Sequence, residues 1–372
     1  MIRPTLLVVI LLACLDAAAA LAQGNGPAEA GRYMAQPAPP APPAPPAPPA
    51  PAIRRWLDVQ QLSFAGRFRW FENSQGRLVS STLQWQPQVR ARFLFDEGAK
   101  YSLNGFASSG LTFPSSWNNT GGGLGTFQGV FSVKQLFLQA EPIKGLEFQA
   151  GGLYMHRGEM AEHLTYDTDA FIEGERVTIR PAAGWLKQVA VTTGYFGDYR
   201  EPNVFKRFDR MDEWNYGQAL VGFGLGSRAT ASVDYTYEDG RDILREGINL
   251  RLPASVKLFT LIKFEAYQRV SGVEGSGFHA ATDLRWKRLA VTGGVMSVDR
   301  FYNSVLGPFN GDRYEAGTRF YSIWTVTVIP ELTLQAFHTQ AFATDFPINI
   351  QKRYDIVLTF NPTATLKRAG IF

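Results

Sequence analysis

The sequence predicts an all-β fold: a transmembrane, antiparallel up-and-down β-barrel of about sixteen strands. Three observations lead to this prediction. Segments of about ten residues, in which apolar and polar side chains alternate, recur along the chain. The connections between these segments alternate between short and long. Aromatic residues collect near both ends of the segments, where a bilayer meets water.

The clearest unit is the hairpin Val130–Met155. On each side of the turn Glu141–Gly145, residues with a period of two separate into two faces, which is typical of strands. Each arm has about ten residues, the length that a tilted strand needs to cross the hydrocarbon layer. We predict that this hairpin is one of several that repeat around a closed barrel.

The predicted connections fall into two alternating sets. The short set comprises Asp96–Lys100, Glu141–Gly145, Pro181–Gly184, Gly226–Ser227, Pro253–Ser255, Lys287–Arg288 and Pro330–Glu331. The mostly longer set comprises Glu72–Ser81, Gly110–Gly129, His156–Ala170, Gly197–Asn215, Glu238–Glu246, Arg269–Ser276, Asp299–Asp312 and Ala343–Ile350. Short turns on one side and longer loops on the other are typical of outer-membrane barrels. A soluble β-sandwich with aromatic core residues is the alternative, but it has no reason to sort its loops.

The chain divides into four predicted parts. Residues 1–22 are predicted to be a secretory signal peptide, although a lipoprotein signal acylated at Cys14 is an alternative. Residues 23–55 are predicted to be a disordered, proline-rich periplasmic linker whose repeat favours an extended polyproline II spacer. This linker is either a stiff tether or a contact with peptidoglycan or another periplasmic partner. The barrel is predicted over residues 56–360, and a C-terminal tail over residues 361–372.

Composition excludes several classes of function. Cys14 is the only cysteine and lies in the predicted signal, so the mature chain has no disulfide and no thiolate metal site. The net charge is +4 and no basic cluster recurs on a helical face, so we expect no nucleic-acid partner. We also predict no metal and no cofactor. His156 and His163 flank two glutamates, but their spacing does not match a zinc-binding pattern.

An enzyme barrel is the alternative from a different class of protein. The chain has 4 histidines and no GxSxG motif. The closest constellation is His279 with Asp283, which lie on one predicted inward face about 13 Å apart along a strand. That separation is too long for a catalytic pair, so we predict no catalytic residues.

The last strand carries a family resemblance. In Arg353–Phe360, with the sequence RYDIVLTF, alternate residues are aromatic or aliphatic and the strand ends in phenylalanine. Together with the signal peptide, the alternation and the loop asymmetry, this resembles a Gram-negative outer-membrane porin. The sequence QAEPIKGLEFQAGGL is also similar to porin and alginate-export-type hairpins.

The resemblance implies an assembly signal that the barrel-assembly machinery reads. Its residues are Tyr354, Ile356, Leu358 and Phe360. The family's signal normally ends the chain, so the tail Asn361–Phe372 is a departure from the pattern. The resemblance further implies a barrel among outer-membrane lipid and lipopolysaccharide. A homotrimer stays open, because alternation alone does not reveal the flattened wall that a trimer needs.

Alternation also assigns residues to the lumen. If Leu62, Phe64 and Trp70 face lipid, the residues between them face inward. The predicted basic wall comprises Arg67, Arg69, Arg90 and Arg92, and the predicted polar pore-lining residues are Gln84, Gln86, Gln88 and Asn104. Because the last strand closes against the first, His338, Gln340 and Asp355 are expected nearby. Such a wall attracts anions, unless its members are simply solvated polar residues in a wet lumen.

The segment His156–Glu175 is an acidic loop in this interpretation. Its candidate constriction residues are Glu159, Glu162, Asp167, Asp169, Glu173 and Glu175. Folded into the pore, the loop would face the arginines and create a transverse field. Alternatively, it stays outside and holds divalent cations or the counter-ions of lipopolysaccharide.

The predicted function is an aqueous channel in the cell outer membrane for passive diffusion of small hydrophilic solutes, with anions among the candidates. No chemical step is implied. A barrel scaffold or adhesin with a plugged pore is the second interpretation, and an outer-membrane hydrolase is the third.

Overall fold

The computed structural model describes most of the predicted barrel and the tail. Its described residues are 56–109, 131–159, 171–195, 205, 208–210, 212–238, 240–256, 258–271, 275–299, 317–344, 347–348 and 350–372. The predicted signal peptide and proline-rich linker lie outside them. No helix in the described part of the chain is long and apolar enough to cross a membrane.

Sixteen antiparallel strands close into a barrel in which each strand pairs with its neighbours in the chain and the last pairs with the first. The strands are β1 (Leu57–Glu72), β2 (Leu78–Leu94), β3 (Tyr101–Ser109), β4 (Phe131–Ile143), β5 (Leu146–Tyr154), β6 (Phe171–Ile179), β7 (Leu186–Tyr195), β8 (Tyr216–Leu225), β9 (Ala229–Glu238), β10 (Arg241–Arg251), β11 (Phe259–Arg269), β12 (Ser276–Trp286), β13 (Leu289–Val298), β14 (Gly317–Ile329), β15 (Leu332–Ala343) and β16 (Lys352–Phe360). A short 3-10 helix spans Phe208–Arg210, and one α-helix, α1, spans Thr363–Arg368. The predicted fold is confirmed.

Pairing assigns each strand residue to a face of the barrel, because residues directly opposite each other point to the same side of the sheet. The outer face is apolar and exposed: Phe64 is 49% exposed and Leu83 is 72% exposed. The inner face is polar and largely buried, as at Arg69 and Gln84, which are each 0% exposed. This arrangement is the reverse of a soluble protein and suits a barrel whose outside contacts lipid.

The two ends of the barrel differ in their connections. The short-turn end contains residues 95–100, 144–145, 180–185, 226–228, 252–258, 287–288 and 330–331, together with the start of β1 and the C-terminal tail. The strand bounds leave eight intervals at the other end, the long-loop end, of which the described residues are 73–77, 155–159, 205, 208–210, 212–215, 240, 270–271, 275, 299, 344, 347–348 and 350–351. The alternation of short and long connections persists in part: the intervals 73–77 and 270–275 are no longer than the turns 95–100 and 180–185, and one predicted long loop is an outright exception.

The exception is the predicted loop Glu238–Glu246, which was wrong. Strand β9 continues to Glu238 and β10 begins at Arg241, so only two residues separate the strands. Gly240 suits this tight connection, because two-residue hairpin turns require positive φ and Gly240 has a φ of +84°. Beyond it, Asp242 to Leu250 pair in register with β9, which makes them part of the wall.

A row of three paired glycines crosses β5, β6 and β7. Gly151 lies opposite Gly174, which lies opposite Gly194. A Cβ atom added at Gly151 would lie 2.5 Å from the carbonyl oxygen of Leu136, and one at Gly174 would overlap the backbone of Thr193. Only glycine permits strands to approach this closely.

Candidate pore interior

The four arginines of the predicted basic wall all lie on the inner face, as pairing of β1 with β2 and of β2 with β3 shows. Arg67 and Arg69 lie deeper and are buried. The Nε of Arg67 donates a 2.6 Å hydrogen bond to Gln84 Oε1. Arg69 forms a bidentate ion pair with Asp355, in which Nε and Nη2 donate hydrogen bonds of 3.0 and 2.9 Å to the two carboxylate oxygens. The junction of β1 and β16, which closes the barrel and which we call the seam, thus contains a buried ion pair.

Asp355 is shared by a second arginine. The Nη2 of Arg353 donates to Asp355 Oδ2 at 2.6 Å, so one carboxylate lies between Arg69 and Arg353. All three side chains are almost completely buried. A buried charge requires a partner of opposite sign, and two arginines around one carboxylate leave an excess of positive charge at the seam.

Arg90 and Arg92 lie nearer to the short-turn end and are more accessible than Arg67 and Arg69. The Nη1 of Arg90 donates to Gln135 Oε1 at 3.1 Å, and its guanidinium carbon lies 4.5 Å from the centre of the Phe106 ring. Arg92 pairs with Asp58 at 3.1 Å, and the two side chains are 31% and 27% exposed. Charge at this level of the interior is accessible to water and to solutes.

The predicted polar residues also lie on the inner face. Gln88 Oε1 accepts a 3.3 Å hydrogen bond from Gln61, and Asn104 donates to Ser102 and Gln139 at 3.0 and 3.3 Å. Gln86 is 2% exposed. These amides connect the arginines into one continuous polar surface.

The neighbours that were expected from the last strand divide between the two faces. Asp355 points inward, but His338 lies opposite Tyr354 on the outer face, and Gln340 shares that face. The His338 ring stacks on Tyr354 with centroids 4.5 Å apart. The expectation for His338 and Gln340 was therefore wrong, because the register at the seam places the odd-numbered residues of β15 inside.

The acidic-loop prediction was wrong for two residues. Glu173 and Glu175 belong to strand β6, where they lie opposite Gly152 and Ala150 on the outer face. Glu175 is exposed there and Glu173 is buried. The candidates Glu162, Asp167 and Asp169 lie outside the described residues.

Glu159 lies inside the barrel. After β5, the carbonyl oxygen of His156 accepts a 2.7 Å hydrogen bond from Gln218 on β8. The backbone N–H of Glu159 donates to Ser232 Oγ on β9 at 2.7 Å, and its carboxylate accepts from Asn249 on β10 at 2.5 Å. Residues 155–159 therefore cross the inner face from β5 to β10. We call them the inner segment.

The wall opposite the seam holds a second buried ion pair, which the sequence patterns did not single out. Arg245 on β10 binds Asp234 on β9 through Nε and Nη2 at 3.2 and 2.6 Å. Gln218 and Thr236 also donate to Asp234. Both charged residues had the inward alternation that identified Arg67 and Arg69, so the same signal could have found them.

His279 does not form the constellation that was weighed for catalysis. Its Nε2 lies 2.6 Å from the Tyr321 hydroxyl, and its Nδ1 lies 3.8 Å from Glu265. Asp283 instead pairs with Lys263 at 2.9 Å and accepts from Thr292 at 2.7 Å. In the described part of the chain, no three His, Cys, Asp or Glu side chains converge as a metal site requires.

An apolar cluster also lines part of the interior, towards the long-loop end. Its buried members are Met155, Ile172, Tyr216, Ile243, Tyr267, Ala281, Met296, Val298, Tyr321 and Phe337. They come from the inner faces of eight strands and, at Met155, from the inner segment. Sequence reasoning missed this cluster, because aromatic residues were assigned to the membrane interfaces.

The predicted assembly residues Tyr354, Ile356, Leu358 and Phe360 all lie on the outer face of β16 and are exposed. Phe360 lies opposite Phe64, at the last rung of the seam. The chain continues past this residue into α1, so the exposed pattern does not coincide with the end of the polypeptide.

Known structures share this architecture. A porin of Rhodopseudomonas blastica, in a triple mutant, superposes with a TM-score of 0.52 at 9% sequence identity, over 82% of this chain and 99% of that chain. OmpF of Salmonella typhi, in complex with daunomycin, superposes with a TM-score of 0.57 at 8% identity, over 84% and 99%. No protein-family model and no curated protein sequence matches the chain. At such low identity the likeness concerns the fold alone: the chain has the fold of sixteen-stranded porins.

Proposed function

We propose that this protein is a passive channel of the outer membrane for small hydrophilic solutes, with a preference for anions. The observation that carries the proposal is a closed ring of sixteen strands with an apolar exterior and a charged interior. A barrel of this strand number encloses an aqueous space rather than a packed core of side chains. Passage through such a space needs no chemical step and no cofactor.

The anion preference rests on the charge of the inner face. By pairing, the inward cations are Arg67, Arg69, Arg90, Arg92, Arg176, Arg245, Arg251, Lys263, Arg269, Arg285, Arg319 and Arg353. The inward carboxylates are Asp58, Glu147, Asp234, Glu238, Glu265, Asp283 and Asp355. Cations are more numerous, so the field inside the barrel attracts anions and repels small cations.

The inner segment is the proposed constriction. It carries the carboxylate of Glu159 across the lumen to Asn249, away from the arginines of β1 and β2. This carboxylate lies among inward cations, because Arg245 and Arg251 lie on β10 with its partner Asn249 and Lys263 lies opposite Asn249. Opposite charges at one level of the lumen order water and favour polar solutes over apolar ones.

Recordings from the purified protein in a planar lipid bilayer test the proposal. We expect stepwise openings that scale with salt concentration, as diffusion through an aqueous pore requires. A plugged scaffold or adhesin is the second candidate, and the buried apolar cluster favours it. Stable insertion without any step in current would overturn the channel and support the scaffold.

We further propose that the signal peptide and the assembly machinery deliver this barrel to lipid and lipopolysaccharide of the outer membrane. The exposed outer face of β16 is the surface that supports recognition during assembly. The proline-rich linker then extends from the short-turn end into the periplasm, towards peptidoglycan. Protease accessibility of residues 23–55, compared between intact cells and cells with a permeabilised outer membrane, tests on which side of the outer membrane the linker lies. Cleavage in intact cells would contradict it.

A homotrimer in which the wall β6–β10 faces other copies is also proposed. The outer face of β7, β8 and β9 carries nine small residues, namely Val189, Val191, Thr193, Gly217, Ala219, Val221, Ala229, Ala231 and Val233, beside the larger Leu186, Tyr195, Phe223, Leu225, Tyr235 and Tyr237. Two outer-facing glutamates, Glu175 and Glu246, flank this wall at mid-strand. Carboxylates there are unfavourable against hydrocarbon, whereas small side chains permit close packing of two sheets.

The contact wall is tested by Ala219→Trp. A bulky indole on the small wall should separate the copies, so the mass of the detergent-solubilised protein should fall from three chains to one. The matched control is Ala336→Trp on the outer face of β15, where exposed leucine and aromatic residues are typical of lipid contact. A monomeric wild-type protein, or a trimer that survives Ala219→Trp, would contradict this assignment.

A further inference from the structure

The C-terminal tail lies against the rim of the barrel at the short-turn end. Strand β16 stops at Phe360, opposite Phe64, whereas β1 begins seven residues earlier at Leu57. The first part of β1 therefore has no strand beside it on the β16 side. An open strand edge of this kind presents unpaired backbone groups, which proteins usually cover.

Helix α1 covers this edge. The backbone N–H of Leu62 donates a 2.7 Å hydrogen bond to the hydroxyl oxygen of Thr363, which is itself buried. The backbone N–H of Asn361 donates to the carbonyl oxygen of Glu331 at 2.7 Å. The tail thus connects β1 to the turn between β14 and β15, and it crosses the seam at the short-turn end.

Two contacts with Glu331 hold the far side of the helix. The hydroxyl of Thr365 donates to the Glu331 carboxylate, and Arg368 lies 3.7 Å from it. The hydrogen bond from Thr365 lowers the pKa of Glu331, so this carboxylate stays charged at neutral pH. The orientation of α1 is therefore fixed from both sides of the seam.

This orientation directs Lys367 to the inner face of the barrel. Its Nζ lies 2.7 Å from Asp58 Oδ1, while the other carboxylate oxygen of Asp58 binds Arg92 at 3.1 Å. Asp58 and Arg92 lie opposite each other on the inner face. Lys367 is 41% exposed and Asp58 is 27% exposed, so the cluster is open to solutes at the mouth.

The charges of this cluster do not cancel. Without the tail, Arg92 and Asp58 would form a neutral pair, and the mouth would carry no net charge at this point. Lys367 adds a second cation to one carboxylate, so the mouth acquires one positive charge. A solvent-accessible charge at a channel mouth changes the local concentration of ions of each sign.

We propose that the C-terminal helix is a selectivity element, in which Lys367 sets the positive charge of the short-turn mouth by sharing Asp58 with Arg92. This inference rests on the proposed channel function. It assigns the tail a role in solute entry, in addition to closing the strand edge. The solutes concerned are small anions, because a cationic mouth enriches them before they reach the deeper arginines.

The experiment compares ion selectivity of single-site variants in a planar bilayer under a KCl gradient at low ionic strength. Lys367→Gln should lower the ratio of anion to cation permeability by at least about twofold, because one unit charge about 8 Å away in water changes the local concentration of each ion by about that factor, in opposite directions. Asp58→Asn should change the ratio in the opposite direction. The matched control is Lys287→Gln, since Lys287 lies at the same end but rests against the Trp286 ring on the outer face, and its selectivity should equal that of the wild type.

The thermal stability of each variant is measured as well. Loss of the contact that holds the tail would lower this stability, whereas loss of the charge alone would change only the ion preference. If Lys367→Gln and Asp58→Asn leave the ion preference unchanged in a conducting channel, or if both lower it, the tail inference is overturned while the channel stands. A wild-type protein that conducts no ions overturns the channel, and the tail inference falls with it.

Discussion

Replacement of Asp355 by leucine should destabilise the barrel more than any other single change in the interior. The substitution removes the carboxylate that Arg69 and Arg353 share, and both arginines are almost completely buried. Loss of one partner of a buried ion pair costs about 3–5 kcal/mol, because the remaining charge stays desolvated. The third nearby arginine, Arg67, is also buried, so repulsion adds to this cost.

Unfolding in denaturant, followed by tryptophan fluorescence or by heat-modified migration on gels, measures the effect. The matched control is Asp58→Asn, in which two partly exposed ion pairs, with Arg92 and Lys367, are lost and a change of at most about 2 kcal/mol is expected. The destabilisation should persist at high salt, because salt screens buried charges much less than exposed ones. Equal stability of Asp355→Leu and the wild type would show that the seam does not depend on this carboxylate.

The double substitution Arg90→Glu with Arg92→Glu should have the largest effect on transport. Both arginines lie on the inner face at a level that water reaches, so their reversal changes four units of charge on the solute path. Coulomb attraction in a wet pore amounts to a fraction of a kcal/mol per charge, so four units should change the permeability ratio by about tenfold. We expect the channel to become cation-preferring.

The control for this double variant lies at the same end of the barrel. Lys287→Glu with Arg288→Glu reverses the same number of charges in the turn between β12 and β13, where both side chains are exposed. Arg288 contacts only the rim, through the carbonyl oxygen of Val328 at 3.0 Å. An equal change of selectivity in both double variants would mean that the arginines act through the overall charge rather than from the pore wall.

The architecture was predictable because it depends on short-range patterns. Alternation determines which residues share a face, and turn residues mark where strands end, so strand number and closure follow without any knowledge of long-range contacts. The turn at Asp239-Gly240 carried an equally clear signal, but the charged residues around it favoured a loop over a tight hairpin. Here local polarity outweighed turn chemistry in the prediction.

Strand β6 was obscured for a related reason. Its sequence FIEGERVTI places Glu173 and Glu175 on the face that should be apolar, so the apolar-out rule assigns the segment to a loop. The structure includes these glutamates in the wall, and our proposed contact between copies gives a reason for their presence. A pattern that assumes lipid on every side fails where another surface replaces the lipid.

The partners of the inward arginines required the structure. Arg69 and Asp355 lie at opposite ends of the chain, and their contact depends on the register in which β16 closes against β1. Likewise, the inner segment contacts Ser232 on β9 and Asn249 on β10, which lie far from β5 in the chain. Neither of these contacts is encoded in the alternation itself.

The reversal potential of the wild-type protein in a planar bilayer, under a steep KCl gradient, is the measurement that tests the account most directly. A conducting, water-filled barrel with an excess of inward arginines predicts stepwise channels and a reversal potential displaced towards the equilibrium potential of chloride. Channels that reverse at the potassium potential would contradict the arginine-dominated interior. The absence of any conductance after verified insertion would contradict the channel itself.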